Sequence, residues 1–132
     1  MSSGPSARPL SPHVQVWRWH ITMACSILHR VTGVALYGGA LILAAWAVAL
    51  ASGPGSYAAF KLVLGSIPGK VVLFGLTVSI FYHLAAGVRH LAWDVGFGLQ
   101  PKTADMTGAA SIAFGVVAAV AVWVIAAMMG AL

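Results

Sequence analysis

The sequence predicts an all-α membrane protein built around three spanning helices, and two observations carry that reading. Of its 132 residues, 61% are hydrophobic and only 7% charged, and the mean hydropathy of +0.95 lies far outside the soluble globular range. Three apolar runs, Val31 to Ala51, Val71 to Val88 and about Thr107 to Leu132, each reach the roughly 20 helical residues that cross a bilayer, and none contains Asp, Glu, Lys or Arg.

Charge sets the expected orientation. Five of the seven basic residues (Arg8, Arg18, Arg30, Arg89, Lys102) fall before the first span or between the second and third, whereas Lys61 and Lys70 lie between the first and second. The positive-inside bias then places the N-terminus inside and the C-terminus outside. A net charge of +5 distributed in this way is accounted for by topology and does not point to nucleic acid. No cleaved leader is expected, because Met1 to Ser11 is polar and Pro/Ser-rich and the first apolar run is too long for a signal peptide. The single cysteine, Cys25, allows no internal disulfide and reads as a small packing residue.

Residues 1–20 are expected to form an irregular inner arm, since Pro5, Pro9 and Pro12 oppose helix and Trp17 and Trp19 suit the membrane interface. Residues 21–132 form the transmembrane domain, with helices at about 21–51, 70–94 and 105–131. "SGPGS" (Ser52 to Ser56) breaks the first helix, and Tyr57 to Leu64 predicts a short interfacial helix ended by Pro68 and Gly69. The second helix stops at "GFGLQP", with Gly96, Gly98 and Pro101. Asp94 closes that helix or pairs with a nearby arginine, and Asp105 suits the positive end of the third helix dipole.

Two polar clusters interrupt this apolar plan. In "FYHLAAGVRHLAWDVGFGL", residues His83, Gly87, His90 and Asp94 share an arc of about 60° on the second helix. His83 lies roughly 7 to 8 Å inside the end of the apolar run, where an ionisable group is a functional candidate by default. It is either a haem or metal ligand, with Gly87 leaving room for a flat macrocycle, or a histidine hydrogen-bonded to a neighbouring helix; position alone does not separate the two. His90, about 10.5 Å farther along the same helix, cannot bind the same iron, and the spacings do not support a zinc cluster. Tyr82 points away from His83.

In "SILHRVTGVAL", Ser26, His29, Arg30 and Gly33 share an arc of about 100° at the inner end of the first helix, on the same side of the membrane as the other cluster. Arg30 and His29 suit the carboxylates of haem, and Ser26 with Arg30 suits the carbonyl of a quinone. Arg30 alone could simply snorkel, and the Ser26 hydroxyl could bond back to its own helix. A small proton-conducting subunit is the alternative class, but the outer halves of the three helices carry little beyond Ser, Thr and Tyr, which is poor material for a relay.

"RPLSPHVQVWRW", "SILHRVTGVAL" and "HLAAGVRHLAWDVGFGL" resemble, in order and over nearly the whole chain, the large cytochrome b membrane-anchor subunit family of succinate dehydrogenase, respiratory complex II. The resemblance implies that His83 is an axial ligand of haem b, with the second ligand from a small anchor subunit that completes the haem-binding bundle. It implies that Ser26 and Arg30 belong to the ubiquinone site, and that His29 and Arg30, with His90 nearby, lie at the haem propionates. It further implies an iron-sulfur subunit and a flavoprotein carrying FAD as partners; a multi-pass place in the bacterial inner membrane is expected ahead of the mitochondrial inner membrane, because one arginine in the first seventeen residues does not suit a transit peptide. On the residues alone, helix three offers no sixth ligand, and His29 would serve only if helix one tilted it deeper. Pro12, His13, Trp17 and Trp19 are expected to pack under the iron-sulfur subunit. A quinol:fumarate reductase anchor, or an anchor that has lost haem, would share these motifs.

Overall fold

The computed structural model describes Pro12 and residues 14–131. After a single 3-10 turn at Val14–Val16 come four helices: α1 (Ile21–Ala51), α2 (Pro54–Gly65), α3 (Ile67–Asp94) and α4 (Pro101–Met128). Three of them, α1, α3 and α4, are long and apolar enough to cross a membrane. Arg8 and His13 lie outside the described residues.

Proline starts the helices here more often than it stops them. Pro54 and Pro101 stand at the first position of α2 and α4, where the missing N–H has no helical partner to lose and the fixed φ already suits a helix. Pro68 and Gly69, expected to end the short helix, instead lie in the first turn of α3, capped by Ser66, whose hydroxyl accepts from the Gly69 N–H at 3.2 Å. Only glycine fits at position 69, since a Cβ there would lie 2.5 Å from the carbonyl oxygens of both Val63 and Leu64. For the same reason α4 begins at Pro101, ahead of the expected Asp105. Gly96 and Gly98 adopt φ of 84° and 78° in the turn after α3, a conformation that side-chain-bearing residues avoid.

Helix α3 is central, packing against α4, α1 and α2. Water-driven burial does not hold helices together in lipid, so close backbone approach and polar contacts decide their association. The buried face of α4 is a line of small residues: Ala104, Gly108, Ser111, Gly115 and Ala119. At Gly115 an added Cβ would come within 2.7 Å of Tyr82 Cβ and 3.0 Å of Tyr82 Cα, so the two backbones touch there. Tyr82 is turned into this seam, away from His83, and donates its hydroxyl to the Cys25 carbonyl at 2.8 Å. Cys25, only 2% exposed, packs against Gly108.

Arg89 crosses the same seam. Its Nε donates to Thr107 Oγ1 at 3.2 Å and its Nη2 to the Ala104 carbonyl at 3.0 Å, while the guanidinium lies 4.1 Å from the Trp93 ring centroid. Arg89, in sequence only one of the charges that set topology, is 8% exposed and forms a strut between α3 and α4. Asp94 does not pair with it: the residue ends α3, exposed, with no ion pair among the described residues. Asp105 on α4 instead faces His20, whose Nδ1 lies 3.2 Å from its Oδ1 where the end of the arm meets the start of that helix.

Candidate functional site: a stack of three imidazoles

The antiparallel run of α1 and α3 brings the N-terminal part of one beside the C-terminal part of the other, so the two polar clusters meet. The rings of His29 and His83 lie nearly parallel, 11° apart, with centroids separated by 4.1 Å. On its other side His29 stacks on His90 at 4.8 Å and 22°, and His90 meets the edge of Trp93 at 5.0 Å. The expectation that both clusters share one depth agrees with this contact, in which His29 meets His83 face to face and not as a second ligand to a common point.

Hydrogen bonds assign the nitrogens. Thr32 donates its hydroxyl to the Leu28 carbonyl at 2.8 Å, so its oxygen is left to accept from His83 Nδ1 at 3.1 Å. His83 therefore carries its proton on Nδ1 and presents a bare Nε2, which has no partner among the described residues. Likewise His90 Nδ1 must donate to the Ala86 carbonyl, 2.7 Å away, because a carbonyl only accepts. His29 differs, for its Nε2 is buried and unpaired among the described residues. A polar atom in that state is costly without a partner supplied from outside the chain.

The wall opposite His83 is Gly33, where an added Cβ would stand 3.3 Å from His83 Cε1. At Gly87 a Cβ would meet nothing within 4 Å in this chain. The space sequence reading assigns to Gly87 is thus open on the chain's own surface, while the close approach is at Gly33. Ser26 and Arg30, one turn apart on α1, are exposed and make no side-chain hydrogen bond among the described residues. They share a helix with His29 but are not drawn into the stack. Among the described residues no three His, Cys, Asp or Glu converge on a common metal position, since the stacked rings turn faces, not nitrogens, to one another.

Thr32 is the site residue that sequence reading passes over. It sits inside the motif, one turn after His29 and Leu28, but a threonine in an apolar helix gives no sign of which partner its oxygen takes until α3 is in place.

Residues 5–122 match the family described as succinate dehydrogenase/fumarate reductase transmembrane subunit. The chain is 41% identical over 113 residues to the succinate dehydrogenase cytochrome b556 subunit of Paracoccus denitrificans, covering 86% of this chain and 87% of that one. It is 36% identical over 117 residues to the protein of the same name from Rickettsia felis, covering 89% and 91%. To the mitochondrial cytochrome b560 subunit of Bos taurus it is 35% identical over 115 residues, covering 86% and 68%.

Proposed function

The chain belongs to the succinate dehydrogenase/fumarate reductase transmembrane subunit family and is a cytochrome b membrane-anchor subunit of complex II, and from that premise we propose that His83 Nε2 is an axial ligand of haem b and that Ser26 and Arg30 form part of a quinone site. The single observation that carries the haem reading is the state of His83: Nδ1 is committed to Thr32, and Nε2 is left bare. A hydrogen bond to the far nitrogen of a ligating imidazole fixes its tautomer and raises its basicity, which is what an iron ligand requires.

The remaining residues fit the same group. The unpaired Nε2 of His29 would be satisfied by a propionate carboxylate, and Arg30 and His90 stand within the same stretch of α1 and α3. When bound, haem b supplies a one-electron carrier at this depth. The second iron ligand would come from a small anchor subunit, since α4 carries no His, Cys or Tyr. An iron-sulfur subunit and an FAD flavoprotein would supply the electrons, and the N-terminal arm, residues 1–20, would dock those subunits on the inner face of a bacterial cytoplasmic membrane.

Ser26 and Arg30 are exposed on this chain, and polar groups facing lipid without partners are unfavourable. A quinone headgroup satisfies both: the hydroxyl and guanidinium donate to a carbonyl and stabilise the negative charge that grows there on reduction. The test is the intact complex carrying Arg30→Ala or Ser26→Ala. Succinate-dependent quinone reduction should fall about 100-fold for the arginine, while succinate oxidation with a soluble dye acceptor stays at the wild-type rate. Unchanged quinone reduction would remove these two residues from the site.

A further inference from the structure

The end of the bundle away from the histidine stack carries a second, unlike feature. Beneath α2, between α1, α3 and α4, lies an apolar cavity of about 660 Å³ whose walls include Trp46, Phe60, Leu73, Leu76, Ile80 and Trp123. Its volume falls within the roughly 300–1,000 Å³ of ordinary ligand sites. Its one polar contact is internal: Trp123 Nε1 donates to Thr77 Oγ1 at 3.2 Å, and Thr77 donates on to the Leu73 carbonyl at 2.8 Å, so nothing polar is left over to greet a headgroup inside.

The mouth differs from the interior. A neighbouring cavity of about 390 Å³ shares Trp46, Phe60, Leu73 and Trp123 with the first, and its rim adds Lys61 from α2 and Lys70 from α3. Among the described residues these are the only lysines or arginines in this region, and both acidic residues, Asp94 and Asp105, lie at the opposite end of the helices. Lys70 also stands in the first turn of α3, where the positive end of the helix dipole disfavours a cation. An anion between Lys61 and Lys70 would relieve both the charge pair and the dipole.

Lys61 lies over the Tyr57 ring, 4.9 Å from its centroid, but neither lysine has an acidic partner among the described residues, and an apolar slot beneath two such lysines describes one occupant. We propose that this site holds an anionic phospholipid, its phosphate at Lys61 and Lys70 and one acyl chain running down between Trp46 and Trp123. The lipid closes the groove that α2 roofs and lines the outer half of the bundle with hydrocarbon.

The intact complex, delipidated and placed in nanodiscs with equal parts phosphatidylglycerol and phosphatidylcholine of identical acyl chains, tests this by mass spectrometry of the lipid it retains. The wild-type complex should retain phosphatidylglycerol in preference, and the Lys61→Gln/Lys70→Gln double variant should weaken that retention roughly 30-fold, about fivefold per lysine. Ala126→Trp, which fills the cavity without touching the lysines, should reduce retention of either lipid at this site. A double variant with undiminished phosphatidylglycerol, equal retention of the two lipids by the wild type, or a neutral quinone recovered whose binding ignores the lysines would each overturn the proposal.

Discussion

The imidazole of His29 lies flat against that of His83, 4.1 Å between centroids, although the two residues are separated by more than a helix and a half of chain. Stacked face to face, the two rings aim their nitrogens past one another and not at a shared point. The contact thus links packing to chemistry: the residue that would hold a metal is wedged by Gly33, oriented by Thr32 and covered on one face by His29.

Thr32 meets His83 at Nδ1, the nitrogen away from the proposed iron ligand Nε2. Thr32→Val should leave the complex assembled but weaken haem retention about 10- to 100-fold and shift the haem midpoint potential. Thr32→Ser, which keeps the oxygen, should restore both. Haem-to-protein ratio and a redox titration measure the effect; a valine variant with wild-type potential would show that the hydrogen bond does not tune the ligand.

Gly33 sets the depth to which α1 can approach His83. Gly33→Ala places a Cβ 3.3 Å from His83 Cε1, which a shift of a few tenths of an ångström absorbs, so haem content should fall only slightly. Gly33→Leu cannot be absorbed and should abolish haem binding while the flavoprotein still co-purifies. Full haem content in the leucine variant would mean that the ring is free to move aside.

The seam between α3 and α4 predicts an order of damage. Gly115→Ala drives a methyl into the Tyr82 backbone and should cost about 1–3 kcal/mol of stability, because backbone cannot step away. Gly108→Ala meets the Cys25 sulfur at 2.9 Å, a side-chain atom. Adding Cys25→Ala should therefore rescue Gly108→Ala and leave Gly115→Ala unrescued. Thermal unfolding of the purified complex reads all four variants, and equal rescue of both glycines would contradict the packing described.

Much of this was legible from the chain alone, and the reasons for the rest are physical. The all-α class and three candidate spans follow from runs such as Val31 to Ala51, because only a helix satisfies its own backbone in lipid. The stripe of His83 and His90 follows from 100° per residue. Pro68 and Pro101 misled because a proline marks a boundary without saying on which side the helix lies. Arg89 misled because a charge near a helix end reads as a topology signal and says nothing of a guanidinium reaching α4, whereas Asp94 does end α3, the first of its two expected roles. Thr32 and the flat contact of His29 on His83 depend on how α1 and α3 pack, which no single-helix projection contains.

The central claim is that this chain holds haem b through His83. A reduced-minus-oxidised absorbance spectrum of the complex purified through this chain tests it most directly, with wild type and His83→Ala side by side and the bound flavoprotein as a check on assembly. The b-type absorbance should be present in the wild type and lost or strongly weakened in His83→Ala. An unchanged spectrum in an assembled His83→Ala complex would contradict the account.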